Sequence, residues 1–146
     1  MIGIGSPHGD DAIGLRVAER LAREGLPPGV AVVARDRPGL ALLDDLEPAP
    51  AAVLVDAVRA GNKPGEVQRV PPAALTRSRL GSSHGLRVAE TLALAEALGR
   101  RLPPIRIVGI EITTTRGEGL SPLVAAALEA ACREARAALA ELVPDA

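Results

Sequence analysis

The chain is predicted to be an α/β protein, a three-layer α/β/α domain around a mostly parallel sheet. Three observations carry this. Short apolar runs of strand length alternate along the chain with longer segments of helical periodicity. The runs at 30–34, 51–55 and 105–110 are apolar at nearly every position, as in strands covered on both faces. Gly and Pro clusters punctuate the joins. At 146 residues one domain, 1–146, is expected, long enough to bury a core.

The elements follow in order. Residues 1–5 read as a short first strand. Asp10 or Asp11 then opens a helix to about Glu24, with Ile13, Val17 and Leu21 at helical spacing and Gly25 as its stop. Residues 30–34 form a second strand. Arg37-Pro38-Gly39 makes a turn, and Leu40, Leu42, Leu43 and Leu46 a short helix ended by Pro48 and Pro50. Residues 51–55 form a third strand, with Asp56 at its carboxyl end. Residues 66–70 alternate polar and apolar, as in an edge strand with one wet face.

Pro71 and Pro72 lead into a brief helical turn. A helix from about Leu86 to Arg100 follows Gly81-Ser82-Ser83-His84-Gly85, one of its serines serving as cap. Residues 105–110 give the last strand. Ser121 and Pro122 mark the start of a final helix, as N-cap and first helical position, running to about Leu142.

Composition narrows the function. The chain has no Phe, Tyr or Trp, so no aromatic platform is available for unstacked bases. A net charge of -1 offers no basic field for a phosphate backbone, so no nucleic-acid partner is expected. The one cysteine, Cys132, fits a helical core thiol. No run is long and apolar enough for a membrane span, and no signal peptide is expected, so the expected location is cytoplasmic.

The opening turn carries two readings. Gly3, Gly5 and Gly9 loosely resemble a dinucleotide-binding fingerprint, and a nucleotide-binding module built on the Gly3–Gly9 turn is the alternative function. Against it, Asp10 and Asp11 stand where a pyrophosphate meets a helix N-terminus. One aspartate suits a helix cap, leaving the other for a ligand. Asp56 has no structural duty visible in the sequence. His84 lies in a turn of small residues, and His8, the only other histidine, in a similar setting. In such sheets ligands bind beyond the carboxyl ends of the strands. Carboxylate, carboxylate and imidazole gathered there would suit a borderline divalent metal such as nickel, zinc or iron. A serine hydrolase is disfavoured, because no Gly-x-Ser-x-Gly elbow is present.

Five segments in order resemble the hydrogenase maturation proteases. They are Gly3-Ile4-Gly5 with Gly9-Asp10-Asp11-Ala12-Ile13-Gly14, Leu54-Val55-Asp56-Ala57-Val58, Ser82-Ser83-His84-Gly85-Leu86, Gly109-Ile110-Glu111, and Gly119-Leu120-Ser121-Pro122. The resemblance implies a five-stranded sheet with one antiparallel strand at about 66–70. It implies a nickel-dependent endopeptidase that trims the C-terminus of a [NiFe] hydrogenase large-subunit precursor after nickel insertion. It also implies Asp11, Asp56 and His84 as catalytic and metal-binding residues, with Ni²⁺ supplied by the substrate, and leaves Asp10 as the helix cap. The chain departs from the family pattern in a shorter opening turn, in Ser6 and His8 within it, and in Arg37-Pro38 before Gly39.

Overall fold

In the computed structural model, which describes residues 1–71 and 83–144 with the side chains of 83–87 outside the description, five strands form one sheet. The strands are β1 (Ile2–Gly5), β2 (Val33–Asp36), β3 (Ala52–Val58), β4 (Val67–Arg69) and β5 (Ile105–Glu111), in the order β2-β1-β3-β5-β4. β2, β1, β3 and β5 run parallel, and β4 pairs antiparallel with β5. The helical turn expected after Pro71-Pro72, and Ser82, lie outside the described residues.

The helices are α1 (Ile13–Glu24), α2 (Leu42–Leu46), α3 (Ser83–Ala97), α4 (Pro122–Ala126) and α5 (Leu128–Leu142). They divide between the two faces of the sheet, and the period-2 alternation of β3 shows how. Val53, Val55 and Ala57 join one core with Ile13, Val17 and Leu21 of α1 and Ala131, Ala135 and Leu139 of α5. Ala52, Leu54 and Val58 join a second core with Leu42 and Leu46 of α2 and Val88, Leu92 and Ala95 of α3. All seven residues of β3 are buried, as its position between β1 and β5 requires. Without aromatic rings, both cores are filled mainly by branched aliphatic side chains and alanine, with Met1 and Cys132 added in the first.

Three expectations are corrected. β2 starts at Val33 rather than 30, because the Val30 amide turns back to the Pro27 carbonyl and pairing with β1 sets Ile2 opposite Val33. Its residues alternate between half-buried and exposed, so it is an edge strand with one wet face. β3 runs on to Val58, since β5 pairs with it from Ala52 opposite Ile105 to Val58 opposite Glu111. Asp56 therefore lies inside the strand. The last helix breaks at Ala127, whose amide returns to Val124. No helix among the described residues is long and apolar enough to cross a membrane.

The strand order locates a crevice. β1 lies between β2 and β3; the chain leaves it towards β2 and then crosses back to β3 on its other side. The carboxyl ends of β1 and β3 thus flank the switch point at which such sheets bind ligands.

Candidate functional site

The opening turn brings carboxylates to that switch point. After β1 the chain crosses Ser6–His8 and enters a 3-10 turn, Gly9–Ala12, which continues into α1. Close packing of glycines lays this junction on the sheet. A Cβ on Gly14 would lie 2.1 Å from the Ile4 carbonyl oxygen and 2.6 Å from that of Val55. A Cβ on Gly5 would lie 2.2 Å from the Asp11 carbonyl oxygen. The glycines therefore bring the helix start into contact with β1 and β3, and Asp11, only 2% exposed, sits over the junction of the two strands.

The turn's amides are committed to the protein itself. Ser6 N–H donates to the Asp11 carbonyl at 3.3 Å, Gly9 N–H to Gly117 at 3.0 Å, Asp10 N–H to Thr114 at 3.0 Å and Asp11 N–H to His8 at 3.1 Å. A phosphate cradle needs such amides free, so the glycine spacing here serves packing. His8 is exposed at the tip of the turn, its own amide 3.4 Å from the Ser6 hydroxyl oxygen that accepts from it.

Asp56 approaches from β3. It stands opposite Gly109 in the register and is 3% exposed. Its parity with Leu54 and Val58 turns it to the α2 and α3 face. Oδ1 accepts the Ala57 amide at 2.8 Å. Burial pushes the Asp56 carboxyl well above the usual carboxylate range, and the charge of Asp11 pushes it further the same way; the Ala57 amide offsets this only in part. Asp11 and Asp56 are thus brought together closely enough for one charge to oppose the other.

His84 lies in the first turn of α3, the helix that covers the face to which Asp56 turns. α3 leads back to the start of β5, so it runs antiparallel to that strand and its first turn lies towards the carboxyl rim. The imidazole belongs to a side chain outside the description. Among the described residues, no group of three or more His, Cys, Asp or Glu that could hold a metal ion is present. Chemically, two buried carboxylates whose charges oppose each other fit a divalent cation, which relieves the repulsion, and a neutral imidazole suits a borderline one.

Asp10 is a correction. It does not cap the helix, since neither the 3-10 turn nor α1 has a side-chain cap. Fully buried, it accepts from Ser121 instead, Oδ1 from the amide at 2.6 Å and Oδ2 from the hydroxyl at 2.9 Å. Thr113 adds a hydroxyl bond at 3.3 Å. Ser121 has the extended N-cap backbone expected ahead of Pro122, yet its hydroxyl makes no helix cap. No local pattern joins residues so far apart in the chain.

Two further polar residues, both within segments noted in the sequence, take roles that only the fold shows. Glu111, buried at the end of β5, accepts from the amides of Ala60 at 2.9 Å and Asn62 at 2.8 Å, and so fixes the loop that leaves β3. Arg37 is the one non-glycine residue with positive φ among the described residues, at 45°. Its amide donates to the Gly5 carbonyl at 2.9 Å. Its guanidinium pairs with Asp36 at 2.6 Å and also feels the charge of Asp11, which brings a cation to the acidic rim. A narrow cleft beside it is lined by Ile4, Leu42, Val88 and Thr91.

Comparison with known proteins bears on this arrangement. The sequence profile of the family described as hydrogenase maturation protease matches residues 15–138. The chain is similar to an endopeptidase from Escherichia coli, with 30% identity and a TM-score of 0.83, over 96% of this chain and 90% of that one. It is similar to the hydrogenase maturating endopeptidase HybD from E. coli, with 28% identity and a TM-score of 0.80 over the same shares. The [NiFe] hydrogenase maturation protease HycI from Thermococcus kodakarensis KOD1 is 29% identical, with a TM-score of 0.66, over 99% of this chain and 90% of that one. None of the curated proteins compared matches the chain.

Proposed function

The chain belongs to the hydrogenase maturation protease family, and from that premise we propose that it is an endopeptidase that removes the C-terminal peptide of a [NiFe] hydrogenase large-subunit precursor. In this reading Asp11, Asp56 and His84 hold the nickel that the precursor already carries, and cleavage follows nickel insertion. The observation that carries the reading is the meeting of Asp11 and Asp56, both buried, at the junction of β1 and β3.

The roles follow from the electrostatics. With no cation between them, Asp11 and Asp56 oppose each other, and Asp56 tends to keep its proton. A divalent ion reverses this balance, so its arrival releases that proton and makes both carboxylates donors. His84 supplies a neutral nitrogen from the first turn of α3. Nickel so held can polarise the scissile carbonyl or lower the pKa of a bound water. A site that is electrostatically poor without the ion suits a checkpoint, because affinity for the precursor then depends on whether nickel has been inserted.

The test is co-expression with a cognate, nickel-loaded large-subunit precursor. The expected result is a shortened precursor with a single new C-terminus, found by mass spectrometry. An intact precursor in the presence of the wild-type chain and nickel would overturn the reading.

A further inference from the structure

We propose that Asp10 and Ser121 form a clasp that positions Asp11, so that both are positioning residues for the peptidase reaction; this rests on the function proposed above. Asp10 and Asp11 are neighbours in a 3-10 turn, where successive side chains diverge by about 120°. They cannot face the same group. The direction of one fixes the direction of the other.

Asp10 is the one that is held. A buried carboxylate is costly unless its oxygens are satisfied, and both are. Ser121 gives its amide to Oδ1 at 2.6 Å and its hydroxyl to Oδ2 at 2.9 Å. The Thr113 hydroxyl and amide approach Oδ2 at 3.3 Å and 3.5 Å. Backbone bonds join the same two segments, Gly9 N–H to Gly117 and Asp10 N–H to Thr114, each 3.0 Å. The turn after β1 is therefore fastened to the loop after β5, across the end of β3, which lies between those strands.

This has a directional consequence. The clasped loop leads into α4 and α5, and α5 packs with α1 on one face of the sheet. The clasp covers the end of β3 on that face. Asp56 turns to the other face, the one that α2 and α3 cover. Loss of the clasp lets the turn rotate and carries Asp11 out of line, and a displacement of ~1 Å at a reacting centre is enough to cost up to about a hundredfold in rate.

The experiment compares Ser121→Ala and Ser121→Thr with the wild-type chain. Ser121→Ala removes one hydroxyl and keeps the backbone bond to Asp10. The expected result is a fall of about tenfold or more in kcat for precursor cleavage with KM unchanged, restored by Ser121→Thr. In the free protein, the amide NMR signals of Asp11 and Ala57 should shift in Ser121→Ala and return in Ser121→Thr. Wild-type kcat and unshifted Asp11 and Ala57 amides in Ser121→Ala would overturn the clasp while leaving the peptidase reading intact. A fall in kcat that Ser121→Thr does not restore also counts against it. Should the wild-type chain cleave no cognate precursor, the peptidase reading fails, and the amide shifts alone decide whether the clasp sets the turn.

Discussion

Burial pushes the Asp56 carboxyl well above the usual carboxylate range, and the charge of Asp11, across the junction of β1 and β3, pushes it further the same way. The two residues belong to different elements, one to a 3-10 turn and one to the interior of a strand. Because Asp56 holds its proton more tightly in the folded protein, the stability of the fold depends on pH, and that dependence can be measured.

Asp56→Asn should stabilise the metal-free protein at neutral pH. The folded state binds the Asp56 proton more tightly than the unfolded state, where Asp titrates near 4. The stability associated with that proton is full below about pH 4 and is lost as pH rises through the folded pKa. Wild-type stability should therefore decline over that range, and the Asn variant should lack this part of the decline. Urea denaturation at pH 4.5 and 7.5 checks it; equal pH dependence in the two proteins would refute it.

Asp11→Asn should weaken this pH dependence without abolishing it. Burial is the larger cause of the Asp56 shift and the Asp11 charge the smaller. The same variant should lose precursor cleavage while keeping its circular dichroism spectrum. A pH dependence as flat as that of Asp56→Asn would reverse the ranking of the two causes.

Gly14→Ala should cost about 3 kcal/mol or more, at the upper end of overpacking, because the new methyl falls 2.1 Å from the Ile4 carbonyl oxygen, a backbone atom that no rotamer change can clear. Cleavage should fall with it, since relief of the clash lifts α1, and Asp11 before it, off the sheet. Thermal denaturation and cleavage assays at a temperature where the variant remains folded separate the two effects.

Asp10→Asn should destabilise by about 1–3 kcal/mol. One acceptor oxygen is replaced by an amide that faces donors from Ser121 or Thr113. Guanidinium titration measures the loss. A variant as stable as wild type would mean that the buried charge is not held as strongly as its bonds suggest.

Much of the fold was legible along the chain. Ile13, Val17 and Leu21 are fully buried on α1, as their spacing requires, and the apolar run at 105–110 is the core of β5. The edge strand at 66–70 follows from its alternation, and its antiparallel direction from the family resemblance; in the fold it is Val67–Arg69, at the edge of the sheet. What local reading missed was set by partners. β3 extends past Val55 because β5 is long enough to pair with it through Val58, and that carries Asp56 from a strand end to a strand interior. The role of Asp10 depends on Ser121, which lies beyond the reach of any local pattern. Arg37 took part in a turn, as expected, but nothing local indicated that its amide would donate to the Gly5 carbonyl at the end of β1.

The most direct test of the central claim is cleavage of purified precursor by purified protein, with the precursor prepared in nickel-loaded and nickel-free forms. The expected result is a new C-terminus from the nickel-loaded form alone, abolished by Asp11→Asn, Asp56→Asn and His84→Ala. Equal cleavage of the nickel-free form, or full activity in any of the three variants, would contradict it.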